Sequence, residues 1–341
     1  MRVTRYVFFF LALSVAIPAA TAQAAALLAP HRAVYDLSLD DATDRSSITG
    51  IAGRMVYEFD GSACDGYTVR YRFVTRVDTD EASQLSDLQT TTYEDAGGKS
   101  FSFVSRSFVD QELEKEVKGN ATLEADATSV RLEKPEPKSV SITKTRFPTQ
   151  HLIELIDKAK SRETFYETTI FDGSDEADKV MTTTVVIGKS EPTGPRDPEL
   201  KAMNELGDVP SWPVEIAYFD PSEGNGEEIP SYRIAFRLHE NGITRDLLMD
   251  YGDFAMKGQL VGLEMLKPSE VAGDAQMYTV RAGDSLWKIA EEQYGPGSGP
   301  RFMMIARANG RLLRNPNRIF PGQSISIPRT TANRAACTGL D

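Results

Sequence analysis

The amino-acid sequence predicts a mainly β protein. It reads as one large, strongly curved antiparallel sheet or barrel with one helix, followed by a small unit of order strand, helix, helix, strand. Three observations carry this. From Ala33 to Leu266, short runs rich in β-branched and aromatic residues alternate apolar with polar positions and are separated by turn residues. Only one clear stretch in that span, with Leu152, Ile153, Ile156 and Ala159, repeats its apolar residues at helical spacing. From Tyr278 the pattern runs through two short helical stripes and ends where Ile325 and Ile327 alternate with Ser324 and Ser326. So many antiparallel strands with short turns favour strong curvature or closure.

Taken in order, Val34, Asp36 and Ser38 alternate with Tyr35, Leu37 and Leu39 as a first strand. Residues 54–59 and 67–74 flank the turn-rich stretch 60–66, with its two Asp-Gly pairs, as a hairpin. Residues 88–93 and 99–104 pair across 94–98, where Gly97 and Gly98 permit the turn. Further strands are expected at 107–113, 115–124, 129–134 and 139–143. The helix opens at Thr149 or Gln150, with Pro148 suited to its entrance, and runs through Lys160. Strands resume at 164–171 and 179–189. Residues 190–213 hold seven Pro or Gly and predict an irregular excursion with a short helix near 199–206. Strands at 214–219, 231–238, 243–251 and 254–265 finish the sheet.

In the small unit, Tyr278 to Val280 form a strand that Gly283 ends. Asp284 or Ser285 supplies a side-chain oxygen to cap a helix along which Leu286, Ile289 and Ala290 share a face. Residues 295–300 break the chain, and Met304, Ile305 and Ala308 line a second helix that Gly310 suits as a terminus. The blocks Tyr278-Thr279-Val280, Gly283-Asp284-Ser285-Leu286, Ala308-Asn309, Asn315-Pro316, Ile319, Pro321-Gly322-Gln323 and Ile327-Pro328, in this order, resemble a LysM module, a fold that binds glycans containing N-acetylglucosamine. The resemblance implies a shallow groove with Gly283, Asp284, Ser285 and Leu286 on one wall and Asn315, Pro316, Asn317 and Ile319 on the other. Backbone groups at element ends and Asn amides suit acetamido groups, and Leu286 and Ile319 suit sugar methyls. The plainer alternative is that these residues only cap, turn and pack. Trp287 directly follows the cap and reads as core, facing the second helix.

The body has a resemblance of its own. Pro30-His31-Arg32-Ala33-Val34-Tyr35-Asp36-Leu37, Gly53-Arg54-Met55-Val56-Tyr57-Glu58-Phe59, Phe73-Val74-Thr75-Arg76-Val77-Asp78, Gln89-Thr90-Thr91-Thr92-Tyr93-Glu94-Asp95 and Phe108-Val109-Asp110-Gln111 resemble the EipB-like family of envelope-integrity proteins. That resemblance implies a spiral-like or incomplete β-barrel, a periplasmic location, a role in maintaining the envelope, and a disulfide between an early loop and the C-terminus. Cys64 matches the early partner. Here the LysM-like module stands between the last body strand and Cys337. As residues alone, two cysteines in an exported chain fit one disulfide, and pairing between chains through Cys337 stays open.

Targeting is legible at the N-terminus. Arg2 and Arg5 precede an apolar run from Tyr6 to Ala20, and small-residue cleavage sites follow, the pattern of a secretory signal peptide. The expected organisation is signal peptide 1–26, body 27–268, module 277–328 and tail 329–341. The formal charge is -12 over 341 residues. An acidic body argues against nucleic acid or an anionic membrane surface as the main partner. The module alone is basic, with seven Lys or Arg against three acids between Met277 and Pro328. That charge suits peptidoglycan, whose peptide stems carry carboxylates, or serves only solubility.

No catalytic pattern stands out. His31, His151 and His239 lack metal-ligand spacing and read as surface or core histidines. No nucleophile elbow, zincin motif or phosphate-cradling loop occurs. The expectation is a non-enzymatic, cofactor-free, periplasmic envelope factor docked on peptidoglycan. Two alternatives stand beside it: a lipid or lipoprotein carrier using the concave face of the β body, and a cell-wall hydrolase of unrecognised type.

Overall fold

The computed structural model describes residues 28–63, 66–173, 179–204, 206, 209–220, 229–266, 276–309 and 318–328. Among these, fourteen strands form one antiparallel sheet. The first eight are β1 (His31–Ala42), β2 (Ile48–Ser62), β3 (Gly66–Thr79), β4 (Ser83–Glu94), β5 (Ser100–Val109), β6 (Glu112–Leu123), β7 (Ala127–Lys134) and β8 (Lys138–Thr143). Helix α1 (Pro148–Lys160) follows. The remaining six are β9 (Phe165–Ile170), β10 (Met181–Ile187), β11 (Ser211–Phe219), β12 (Tyr232–His239), β13 (Thr244–Asp250) and β14 (Phe254–Met265).

Consecutive strands are neighbours, and β14 returns to pair with β1. The two edges of the sheet are therefore β8 and β9, which α1 joins in sequence. After β8 the chain crosses to the other edge. There Arg146 N–H donates to Thr169 O at 2.9 Å and Phe171 N–H donates to Arg146 O at 3.0 Å. This single parallel bridge marks the seam of an open, barrel-like sheet. It covers part of an edge that would otherwise present unpaired backbone groups.

Alternation puts one apolar row inside. Tyr35 pairs with Met55, Met55 with Phe73 and Phe73 with Leu88 across four strands. Helix α1 packs Leu155, Ile156 and Ala159 against Phe59, Tyr67, Val185, Trp212, Val214 and Leu238, and so fills part of the concave side. Each fully buried aliphatic there contributes roughly 1.5–3 kcal/mol. A second cluster seats Met203 and Leu206 of the 190–209 excursion on Tyr35, Leu37, Ile51 and Leu260. A third joins Phe101, Phe103, Phe147 and Phe171 near the seam.

Two polar constructions hold these pieces. Helix α1 has no side-chain cap of its own, since its N-cap is Phe147. The Glu94 carboxylate at the end of β4 supplies it, accepting from Thr149 N–H at 2.7 Å and Gln150 N–H at 2.9 Å. Fully buried Arg245 clamps the excursion, donating to Asp197 at 2.7 Å and to His239 Nε2 at 3.1 Å. The Glu199 carboxylate beside it also accepts from Leu260 N–H at 2.6 Å.

Three expectations are corrected. Residues 107–113 are not a separate strand, because Asp110 and Gln111 take positive φ values of 49° and 74° and form the β5–β6 turn. Side chains that tolerate this conformation hide a hairpin without a glycine. The described residues of 199–206 form successive turns rather than a helix, fixed by the Arg245 clamp. Helix α1 begins at Pro148 rather than at Thr149 or Gln150, and its cap comes from Glu94, a residue of another strand.

The C-terminal unit follows its predicted order. Strands β15 (Gln276–Thr279) and β16 (Ser324–Ile327) pair antiparallel, and between them come α2 (Leu286–Tyr294), a 3₁₀ turn (Gly299–Arg301) and α3 (Phe302–Ala308). Tyr278, Val280, Leu286, Ile289, Ile305, Ile325 and Ile327 make its core. Asn309 ties α3 to β16, donating to Ser326 O at 2.7 Å and accepting from Ser326 N–H at 2.8 Å.

Candidate functional site

The first predicted wall follows β15. Gly283 has φ +84° and open space where a Cβ would stand, so its backbone is reachable by a ligand. Asp284 is turned inward to structural duty, accepting from Arg281 N–H at 2.6 Å and from the Tyr278 hydroxyl at 3.0 Å. Ser285 caps α2, its Oγ accepting from Lys288 N–H at 3.2 Å. Leu286 is buried in the module core. Of this wall, the Gly283 backbone and exposed Ser285 face solvent. Lys288 Nζ donates to Gly283 O at 3.0 Å and adds a positive charge at the rim.

On the second wall, Asn315, Pro316 and Asn317 lie outside the described residues. Ile319 is half-buried against the core, and Phe320 beside it is 58% exposed. The backbone links the two sides: Gly322 N–H donates to Val280 O at 2.8 Å and Val280 N–H to Gln323 O at 2.9 Å. The rim thus offers backbone groups, two cations (Lys288 and Arg318) and an exposed ring. Sequence reasoning omitted Phe320, although an aromatic between Ile319 and Pro321 in a turn was a visible signal.

The module also touches the body. Arg301 Nη2 donates to Asp60 Oδ2 at 2.7 Å and its Nε to Thr68 Oγ1 at 2.9 Å. Arg70 Nη2 donates to Ser298 Oγ at 3.0 Å. The Lys118 ammonium lies 4.2 Å from the centre of the Trp287 ring. Trp287 does pack near the second helix, its ring centre 6.0 Å from that of Phe302, and it faces the body as well. No sequence signal revealed this contact, because its hydrogen-bonded partners are 228 to 241 residues apart.

The three histidines are core residues. His31 Nδ1 meets Ala29 O at 2.7 Å, His151 shares a bond with the Tyr166 hydroxyl at 3.4 Å, and His239 Nδ1 meets Val209 O at 3.1 Å. Burial lowers all three below the usual imidazole range, His151 and His239 to about 4. Inside the sheet, Tyr57, Tyr71, Tyr218 and Tyr232 converge from β2, β3, β11 and β12. Burial raises each hydroxyl above its ordinary range. Yet Met55, Tyr57, Phe73, Leu88, Ile234 and Phe236, on the inward rows, are only half-buried. These side chains therefore keep some exposure on the concave side of the open sheet. Cys64 and Cys337 lie outside the described residues.

Fold and site together define a β-barrel-like scaffold carrying a C-terminal βααβ unit. The EipB-like family matches residues 22–267 and the LysM domain matches 278–328. The chain belongs to the EipB-like family and carries a LysM domain after the family's region. It is 54% identical over 248 residues to the cell envelope integrity protein EipB of Brucella abortus, covering 72% of this chain and 88% of that protein. A solved β-barrel-like protein from Brucella abortus aligns with a TM-score of 0.69 at 54% identity, covering 71% of this chain and all of that one. The potassium binding protein Kbp of Escherichia coli is 35% identical over 65 residues, 19% of this chain and 42% of that protein.

Proposed function

We propose that this protein is a non-enzymatic, periplasmic envelope-integrity factor, exported by its signal peptide (1–26), whose body (27–268) is held to peptidoglycan by the LysM domain (277–328). The observation that carries the reading is the rim itself: a LysM domain whose Gly283 backbone, Ser285 and Phe320 are accessible, flanked by cations suited to carboxylate-bearing stems. In this reading the Gly283 backbone and the amides of Asn315 and Asn317 bind acetamido groups. Pro316 shapes its wall and Ile319 packs on sugar methyls. Asp284, Ser285 and Leu286 hold the opposite wall in place. The experiment is pelleting of the mature protein with purified sacculi. Co-sedimentation lost on deletion of 277–328 is expected, and binding that survives the deletion overturns the reading. Release of muropeptides by the protein alone would overturn its non-enzymatic part.

Half-buried inward side chains favour a second activity, in which the body carries a lipid or lipoprotein segment. Lipid recovered by solvent extraction of the purified protein tests it, and an extract free of lipid counts against it. A disulfide between Cys64 and Cys337 fits the same arrangement. The end of the module lies near the β2–β3 hairpin through a relay of bonds: Tyr294 Oη donates to Pro328 O at 2.8 Å, Ser298 Oγ to Tyr294 O at 3.1 Å and Arg70 to Ser298. From Pro328 to Cys337 the chain spans up to about 30 Å when extended.

A further inference from the structure

We propose that residues 295–301 are a docking plug that fixes the LysM domain on the outer face of β2–β6, so that the body meets its wall ligand in one orientation. The identity of that ligand rests on the glycan-binding reading; the docking does not. Glu58, Asp60, Thr68, Arg70 and Lys118 alternate with inward Phe59, Tyr67, Val69 and Val117, so they belong to the outer face of the sheet. Polar outer-face residues of a β-barrel-like sheet normally meet water. Here Thr68 is only 1% exposed because the module covers it, and Ser298 of the plug is fully buried at the contact, where it accepts from Arg70.

Arg301 is 7% exposed and spends its guanidinium across the interface on Asp60 and Thr68, with no acceptor in its own domain among the described contacts. Such a cation is costly to bury unless its partner is in place. A Cβ at Gly299 would overlap the Trp287 ring, so that position must stay small for the plug to close over the indole. The predicted glycan rim is open away from this contact: at Gly283 and Gly322, as at Gly295 where the plug begins, added Cβ atoms would meet nothing within 4 Å, whereas Gly297 and Gly299 lie against Arg70 and Trp287. Contact with the body and access to ligand are therefore assigned to different edges of the domain.

The stretch from Leu266 to Gln276 reaches roughly 30 Å if extended. A tether of that length alone would let the domain explore a wide volume at an effective concentration on the order of mM. Docking then needs only an affinity better than mM, within reach of one desolvated ion pair, one cation–π contact and a covered indole.

The test uses the full mature chain in solution scattering, together with emission of Trp287 in a Trp212→Phe background. Asp60→Arg and Arg301→Asp should each shift the docked-to-undocked ratio by on the order of a hundredfold or more, seen as a larger radius of gyration and a red-shifted indole. The double exchange should restore the compact form. Lys118→Ala, a milder change, should shift the emission without altering the melting of the body. Single variants as compact as the parent, or a double variant that stays extended, overturn the proposal. Sacculus pelleting of the same proteins separates the two readings. Loss of pelleting in the parent removes the glycan reading and leaves docking standing, whereas undocked variants that still pellet confirm that the edges are separate.

Discussion

Glu94 offers the sharpest test of how the helix is held on the concave side. Its carboxylate caps α1 through two backbone N–H groups, and it is 1% exposed. Burial raises it from 4.5 to about 7, against the lowering effect of those two bonds and with a smaller push from Asp95. At 1.4 kcal/mol per pH unit that is roughly 3 kcal/mol of linked stability. The sign follows from the raised value: between 4.5 and about 7 the folded state binds the proton more tightly. The contribution is whole below 4.5 and is lost as pH rises to 7. The buried histidines act the other way. His151 and His239 sit at about 4 against 6.5, so their contribution is present above 6.5 and lost as pH falls toward 4. The parent protein therefore shows a partly cancelled slope, and the difference from Glu94→Gln isolates the carboxyl.

Glutamine offers one acceptor oxygen where α1 presents two N–H groups, so the variant should be less stable by about 1–2 kcal/mol at pH 5. Its deficit should shrink, or reverse sign, by pH 8. Urea unfolding at pH 5, 6, 7 and 8, followed by far-ultraviolet circular dichroism, measures this. A deficit that stays constant or grows across that range would refute the account of Glu94 as a buried, proton-retaining cap.

The remaining predictions concern other joints. Arg245→Met should cost about 3–5 kcal/mol, because it strands Glu199 and Asp197 at a buried site; thermal unfolding of the body should shift down by roughly 10 °C. Thiol labelling under denaturing, non-reducing conditions should find neither Cys64 nor Cys337 free, and two labelled thiols per chain would remove the bridge. Reduction should lower stability by up to about 5 kcal/mol, the loop-entropy limit for a loop of this length. Ser285→Ala should weaken the LysM domain by about 1 kcal/mol through loss of the α2 cap. Asn317→Ala should reduce sacculus pelleting while leaving the melting temperature unchanged; equal losses in both measurements would argue that Asn317 is structural.

Much of the architecture was legible from pattern alone. Phe254–Met265 was read to the residue, and the hairpin around 60–66 and the single helix stand where alternation and helical spacing put them. Legibility failed where a feature lacks a local signal. The β5–β6 turn uses Asp110 and Gln111 instead of glycine. β11 begins at Ser211, two residues before the Pro213 that marked the expected end of the excursion. In the first predicted wall, Asp284, Ser285 and Leu286 were legible as loop and helix-start residues, but not their division of labour. Asp284 bonds inward and Leu286 is core, which leaves the Gly283 backbone and Ser285 to face solvent.

By itself the sequence determined most of the strand and helix content and the family of each part, because these depend on periodicity and turn chemistry within a few neighbours. Only the tertiary structure decided that β14 closes back on β1, that Glu94 caps a helix 55 residues away, and that Arg301 is locked to Asp60 across the domain boundary. The first rests on backbone pairing between strands more than 200 residues apart, and the other two on buried ionisable groups finding partners far along the chain. The energy of such a pairing depends on burial and distance, and neither quantity is carried by a residue's immediate neighbours.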